Sequence, residues 1–264
     1  MSAQLIGVIH LPPLLGSPNH RPAHGRSAVV DFARTDAKRL VEAGFDAIVV
    51  ENYGDAPFFA DDVPKITVAE MTAAVLAVRD AAPRTPVCVN VLRNDAAAAL
   101  AIAATSGANA IRVNVHTGAR VTDQGVVTGR AAETLRLRRA LGADSVSIWA
   151  DVAVKHSAAL GPRPLEDEAH DLSTRGMVDA VLVTGAGTGK ATPIDDVARV
   201  KSVVSQPVYV ASGATIASLP RLLEVADGVI VGTAIKEGER AGAAVDPERA
   251  AAFARAFRAA VPKR

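Results

Sequence analysis

Aromatic side chains are scarce in this chain. Phe, Trp and Tyr make up 3% of its 264 residues, too few for the stacking platforms that hold single-stranded nucleic acid. Net charge is also sparse, at +1, so there is no basic field to draw a polyanion or an anionic membrane surface. No apolar run approaches the roughly 18–20 residues that span a bilayer. The opening Met1-Ser-Ala-Gln has no basic region of the kind that starts a signal peptide. A soluble, cytoplasmic protein without an integral membrane segment is expected. Cys88 is the one cysteine, so no internal disulfide can form and a reducing compartment fits. Set in Pro86-Val-Cys-Val, it reads as a small buried strand residue rather than a nucleophile.

Several familiar motifs are missing too. Gly189-Lys190 is followed by Ala191, and Thr184 stands where a Walker A loop needs its first glycine. The spacing there is Gly-x-Gly-x-Gly, not the dinucleotide Gly-x-Gly-x-x-Gly. No Gly-x-Ser-x-Gly elbow offers a serine nucleophile. No His-x-His, His-Glu-x-x-His or Cys-x-x-Cys spacing marks a metal, so no cofactor is assigned. Glu51, Asp151 and His10 could still converge on a divalent ion. No lysine lies within a strand or at its last residue, which disfavours a Schiff base. Lys155, Lys190 and Lys236 sit farther out, where contact with a phosphate is the plainer role.

What the chain does have is a repeat of apolar strand, polar loop and helix. Strand-like runs cover 5–9, 45–50, 86–91, 108–114 and 145–150, followed by those starting at Val181, Val208 and Val229. Helices are expected near 27–43, 68–82, 95–106, 130–141, 165–175, 193–202, 216–225 and 247–260, with a small hairpin at 119–127. Hydrophobic residues form 49% of the chain, and no linker or composition break divides it. Continuous Val/Ile/Ala strands belong to a parallel sheet covered on both faces. Eight such units most simply close into an α/β (β/α)8 TIM barrel, one domain over residues 1–264. An open doubly wound sheet is the alternative, but the first loop is too long and Pro-rich for a tight phosphate turn.

The last three strands empty into small-residue turns. The first is Val181-Leu-Val-Thr-Gly-Ala-Gly-Thr-Gly-Lys-Ala-Thr192, followed by Val208-Tyr-Val-Ala-Ser-Gly213 and Val229-Ile-Val-Gly-Thr-Ala234. Glycines let backbone N–H groups approach an anion, and a helix N-terminus adds positive potential. Any one turn could be a plain strand-to-helix connection. Taken together, Thr184, Gly185, Gly187, Thr188, Gly189, Ser212, Gly213, Gly232 and Thr233 point to one phosphate.

The ends of the other strands carry His10, Glu51, Asn90, Arg112 or Asn114, and Asp151, whereas the strands are otherwise almost wholly apolar. Polar groups at buried strand ends cost free energy unless they are paired or used. Glu51 and Asp151 are the first choices for general acid and base, and are equally well explained as ion partners of Arg112 or Lys155. His10 and His116 are candidates for the second proton carrier. Lys155 and His156 stand ready to close over a substrate or to be solvated loop, and His20 and His24 read as loop surface.

Five ordered segments resemble the BtpA family: Gly7-Val-Ile-His-Leu-Pro-Pro-Leu-Leu-Gly-Ser-Pro18, Val50-Glu-Asn-Tyr-Gly-Asp-Ala-Pro57, Arg112-Val-Asn-Val-His116, Ala150-Asp-Val-Ala-Val-Lys-His156 and Val183-Thr-Gly-Ala-Gly-Thr-Gly189. The resemblance covers nearly the whole chain. It implies a barrel related to the ribulose-phosphate-binding group. It also brings an alternative role, since a cyanobacterial member is associated with photosystem I accumulation.

Three functions follow. The first is an enzyme that binds a phosphorylated sugar or nucleoside-like small molecule and acts by general acid/base chemistry, as an isomerase, lyase or glycosyl-transfer enzyme. The second is a non-catalytic biogenesis or assembly factor on an enzyme scaffold. The third is a metal-dependent hydrolase or lyase. A phosphorylated small molecule is the expected partner, not nucleic acid. Self-association through outer helices or loops stays open, as in many barrels.

Overall fold

In the computed structural model, residues 3–21, 26–161, 163–185, 187 and 191–262 are described. Eight strands close into a barrel in the order β1 (Gln4–His10), β11 (Gly228–Val231), β10 (Val208–Val210), β9 (Ala180–Val183), β7 (Ser147–Val152), β4 (Ala110–Val113), β3 (Val87–Asn90) and β2 (Ala47–Glu51). Every neighbouring pair is parallel. Helices α1 (Arg26–Ala43), α2 (Lys65–Ala81), α3 (Ala96–Ser106), α4 (Ala131–Ala140), α5 (Leu165–Thr174), α6 (Ile194–Val203), α7 (Leu219–Val225) and α8 (Pro247–Ala260) alternate with them along the chain.

Period-two alternation explains why the strands are apolar on both faces until they reach the mouth. One set of side chains fills the barrel's inside: Ile6, Val8, Val49, Cys88, Ala110, Leu182 and Ile230, joined by Trp149 and Tyr209. The next residues along, such as Leu5, Ile48, Val89, Ile111, Val181 and Val229, face the helices and join a second, larger core. Full burial of each Val, Leu or Ile contributes about 1.5–3 kcal/mol, so neither face can turn polar without a compensating contact. Cys88 is an interior packing residue, and burial pushes its thiol pKa far up. Closure between β1 and β11 needs Gly228, because a Cβ there would lie 2.2 Å from the Gln4 carbonyl oxygen.

Local signals set the helix ends. Asp95 accepts from the Ala98 N–H and caps α3, and Gly107 ends it at φ +71°. Asp246 caps α8 through the N–H groups of Glu248 and Arg249, with Pro247 in the first turn. Helix α2 starts three residues earlier than the apolar pattern predicts, at Lys65 directly after Pro64. Strand β7 runs on to Val152, two residues past the expected end, because Asp151 and Val152 pair with Leu182 and Val183.

Two loop structures shape the mouth. The Pro-rich first loop packs on the loop after β2, with the Leu14 N–H on Asp55 Oδ1 and the Gly54 N–H on the Leu11 carbonyl. A Cβ on Gly54 would come within 2.3 Å of the Pro13 nitrogen, so the contact needs glycine. The expected hairpin forms as β5 (Ala119–Thr122) and β6 (Gly125–Thr128). It gains an unforeseen third strand, β8 (Ser157–Ala159), from the loop after β7. Among the described residues no helix is long and apolar enough to cross a membrane.

Candidate functional site at the barrel mouth

Glu51 ends β2 beside Asn90, which ends β3, and Asn90 Nδ2 donates to Glu51 Oε2 at 2.6 Å. On β4, Arg112 points its guanidinium the same way. Its Nε and Nη2 donate to Asp151 Oδ2 and Oδ1 at 3.0 and 2.8 Å, and its Nη1 lies 3.9 Å from Glu51 Oε2. Asn114 Nδ2 donates to Asp151 Oδ2 at 2.8 Å. The two acids chosen from the sequence are thus bridged by one cation, but they border different cavities, Glu51 those that hold Lys155 and Asp151 one lined by Asn114, Ala159 and Glu168. Burial alone would lower the Arg112 pKa, but the charge and hydrogen bonds of Asp151 raise it above its ordinary value.

The chemistry of the two carboxylates diverges. Asp151 has a fully buried side chain and spends its oxygens on Arg112 and Asn114. Glu51 also lines the open cavity. His10 Nε2 lies 3.7 Å from Glu51 Oε1, and the ring stacks on Tyr53 with centroids 4.5 Å apart. Burial, then Lys236, Lys155 and Arg112, hold the His10 pKa well below its ordinary value. The Gly242 N–H donates to His10 Nδ1 at 3.3 Å, which assigns the neutral ring's proton to Nε2.

Lys155 sits in the loop after β7. Its N–H donates to Thr184 Oγ1 at 3.0 Å and its carbonyl accepts from Arg93 Nη2 at 2.6 Å. The side chain borders the cavity beside Glu51 and Arg112, and burial, then Arg112, lower its pKa.

The cavity has two lobes. The smaller, about 150 Å³, is lined by His10, Glu51, Arg112 and Lys155 together with Ser212, Gly213, Gly232 and Thr233. The larger, about 410 Å³, shares Glu51, Tyr53, Arg112 and Lys155 and extends to Phe58, Arg93 and Asn114. Gly213 adopts φ +67°. Gly232 leaves room for the imidazole, since a Cβ there would lie 3.0 Å from His10 Cε1.

Of the first glycine turn, Gly187 meets the second. Ser212 Oγ donates to the Gly187 carbonyl at 3.3 Å, and Thr192 Oγ1 to the Ser212 carbonyl at 3.0 Å. Gly185 and Gly187 are buried, and Thr184 is half-buried with its hydroxyl on the Lys155 N–H. Thr188 and Gly189, like Lys190 and His24, lie outside the described residues.

Other sequence candidates fall elsewhere. His116 is buried with Nε2 2.9 Å from the Gly176 carbonyl, and it lines neither lobe. Lys236, expected near the phosphate, is fully buried with Nζ 3.5 Å from Asp36 Oδ2. Among the described residues no three His, Cys, Asp or Glu side chains are grouped to hold a metal. Between Glu51 and Asp151, the Arg112 guanidinium occupies the place of a cation. Sequence reasoning did not single out Phe58, Arg93, Asp123 or Gly242, because each reaches the site from a loop with no strand-end pattern to mark it.

Three buried polar atoms at the larger lobe have no partner among the described residues: Asn90 Oδ1, Asn114 Oδ1 and Arg93 Nε. A buried unmade hydrogen bond costs about 1–3 kcal/mol, so such atoms call for an explanation.

A closed parallel barrel with its polar residues at the carboxyl ends of the strands defines a TIM-barrel protein of the (β/α)8 class. Solved structures share this fold. Thiamine phosphate pyrophosphorylase from Pyrococcus furiosus superposes with a TM-score of 0.62, at 13% identity over 98% of each chain. The (S)-3-O-geranylgeranylglyceryl phosphate synthase from Thermoplasma acidophilum, in complex with sn-glycerol-1-phosphate, gives 0.60 at 17% identity over 98% of this chain and 93% of that one. The chain belongs to the BtpA family, whose model matches residues 1–259. An uncharacterized protein of Thermococcus kodakarensis is 44% identical over 93% of this chain and 92% of its own length. The Synechocystis protein named Photosystem I biogenesis protein BtpA is 41% identical over 96% of this chain and 87% of its own.

Proposed function

We propose that this protein is an enzyme that binds a phosphorylated sugar or nucleoside-like small molecule at the carboxyl-terminal mouth of the barrel and moves protons on it, as an isomerase, lyase or glycosyl-transfer enzyme. One observation carries the reading: His10, Glu51, Arg112 and Lys155 line the same small cavity as Ser212, Gly213, Gly232 and Thr233. The phosphate lies against the two small-residue turns. Two of the structural neighbours bear names that include a phosphate ester, which supports a phosphorylated ligand.

In this reading Glu51 is the base. The neutral His10 donates from Nε2, and Lys155 supplies the charge that stabilises an oxyanion. Arg112 and Asp151 act as a fixed unit that holds Glu51 beside a cation. Calorimetry with ribose 5-phosphate, followed by its crystal complex, tests the proposal. The phosphate should lie against Ser212, Gly213, Gly232 and Thr233. Phosphate bound only outside this cavity would overturn it.

The Synechocystis relative is named a photosystem I biogenesis protein, which supports a second reading, a biogenesis or assembly factor on an enzyme scaffold. Glu51→Gln separates the two. An assembly factor keeps its cellular role with that side chain neutralised, and an enzyme loses it.

A further inference from the structure

The larger lobe differs in chemistry from the smaller. Tyr53, Phe58 and Leu92 give it an apolar side opposite its charged residues, in a chain where aromatics are 3% of residues. One face of Tyr53 is taken by His10. The lobe is also lined by Asn90 and Asn114, whose amide orientations are not arbitrary. Each NH2 is drawn onto a carboxylate, Glu51 for one and Asp151 for the other. Turning either amide over would set a carbonyl against a negative oxygen, so both Oδ1 atoms are fixed away from the acids. Neither oxygen has a partner among the described residues, and Arg93 Nε has none either. The residues that line the lobe therefore hold two unpaired acceptors and one unpaired donor, buried in its wall.

We propose that the larger lobe is a subsite for a planar nitrogen heterocycle, so that the substrate is a nucleoside monophosphate-like molecule and not a bare sugar phosphate. Ring N–H groups press between Asn90 and Asn114, a ring acceptor meets Arg93, and a ring face lies on Phe58. A polyol would satisfy the same polar atoms, and hydroxyls would also find Asp123 and Lys155, but it would leave Phe58 and Leu92 without an apolar partner. The two lobes share Glu51, Tyr53, Arg112 and Lys155, so the sugar between ring and phosphate lies beside Glu51. The inference rests on the smaller lobe being the phosphate site.

Calorimetry on the full chain compares inorganic phosphate, ribose 5-phosphate, the four common ribonucleoside 5′-monophosphates and their nucleosides. At least one monophosphate should bind tenfold or more tighter than ribose 5-phosphate. Phe58→Ala should remove that advantage while leaving ribose 5-phosphate affinity unchanged, and Phe58→Tyr should restore it. If ribose 5-phosphate binds as tightly as every monophosphate, the heterocycle subsite is overturned and the phosphate reading survives. If a nucleoside binds as tightly as its monophosphate and phosphate adds nothing, the phosphate reading fails and the subsite stands. Binding of none of these compounds overturns both.

Discussion

Arg112 grips both carboxylate oxygens of Asp151, at 2.8 and 3.0 Å, across neighbouring strands of the barrel. This bidentate pair is the most enclosed charge contact of the mouth. It turns one of two similar acids into a structural anchor and leaves the other, Glu51, facing the cavity.

Truncating the anchor leaves the guanidinium buried without its main counter-ion. Asp151→Ala should cost about 3–5 kcal/mol of stability, the range for breaking a buried pair from one side. Urea denaturation checks this. A loss under 1 kcal/mol would mean that Glu51 or water replaces the carboxylate at no cost.

Glu51→Gln keeps an oxygen and the side-chain volume, so the fold should hold to within about 1 kcal/mol. Turnover of the bound phosphorylated ligand, followed by NMR, should fall about 10²–10⁴-fold, the usual contribution of a positioned proton carrier. Phosphate affinity should hold or rise, because the carboxylate lines the anion's lobe and repels it.

The buried histidines set a pH dependence. Unfolded imidazoles titrate near about 6.5, whereas burial lowers the folded pKa of both His10 and His116. Below about 6.5 the unfolded chain then binds more protons than the folded one, so stability is complete above that pH and falls as pH drops. Burial raises the Asp36 pKa, which acts with the opposite sign but in a window starting near 3.8. The urea midpoint should therefore fall between pH 7 and pH 5. The His10 ring resonances should stay those of a neutral ring protonated at Nε2 from pH 6 to 8.

Lys236 and Asp36 form a second buried pair, away from the cavity, and burial lowers the lysine pKa while raising that of the acid. Lys236→Met alone should destabilise by up to about 3–5 kcal/mol, because Asp36 loses its buried counter-ion and keeps only the partly exposed Arg39, 3.6 Å away. Adding Asp36→Asn should recover most of that loss, since the amide oxygen can still accept from the Val245 N–H, as Asp36 Oδ1 does at 2.9 Å. Equal losses in the single and double variants would show that the lysine contributes by packing, not charge.

Much of this was legible in the sequence because a barrel strand buried on both faces tolerates polarity only where it ends. His10, Glu51, Asn90 and Asp151 stood out against runs of Val and Ile; His10 and Asn90 flank Glu51, and Arg112 links Glu51 to Asp151, which lines neither lobe. His116 shows the limit of that signal. A polar residue just past a strand can be satisfied by a carbonyl on an outer helix loop, and spacing does not say which way it turns. Lys236 misleads similarly, since its burial depends on Asp36, 200 residues earlier in the chain. The third strand of the outer sheet was invisible for another reason. Ser157-Ala-Ala carries no β-branched residue, and only pairing with Ala119–Thr122 makes it extended.

That third strand has a mechanical consequence. Because Ser157–Ala159 is stitched to Ala119–Thr122, the outer hairpin cannot lift without dragging the stretch that carries Lys155. Asp123 at the hairpin's tip and Lys155 in the loop after β7 both border the larger lobe, so the outer sheet couples their positions.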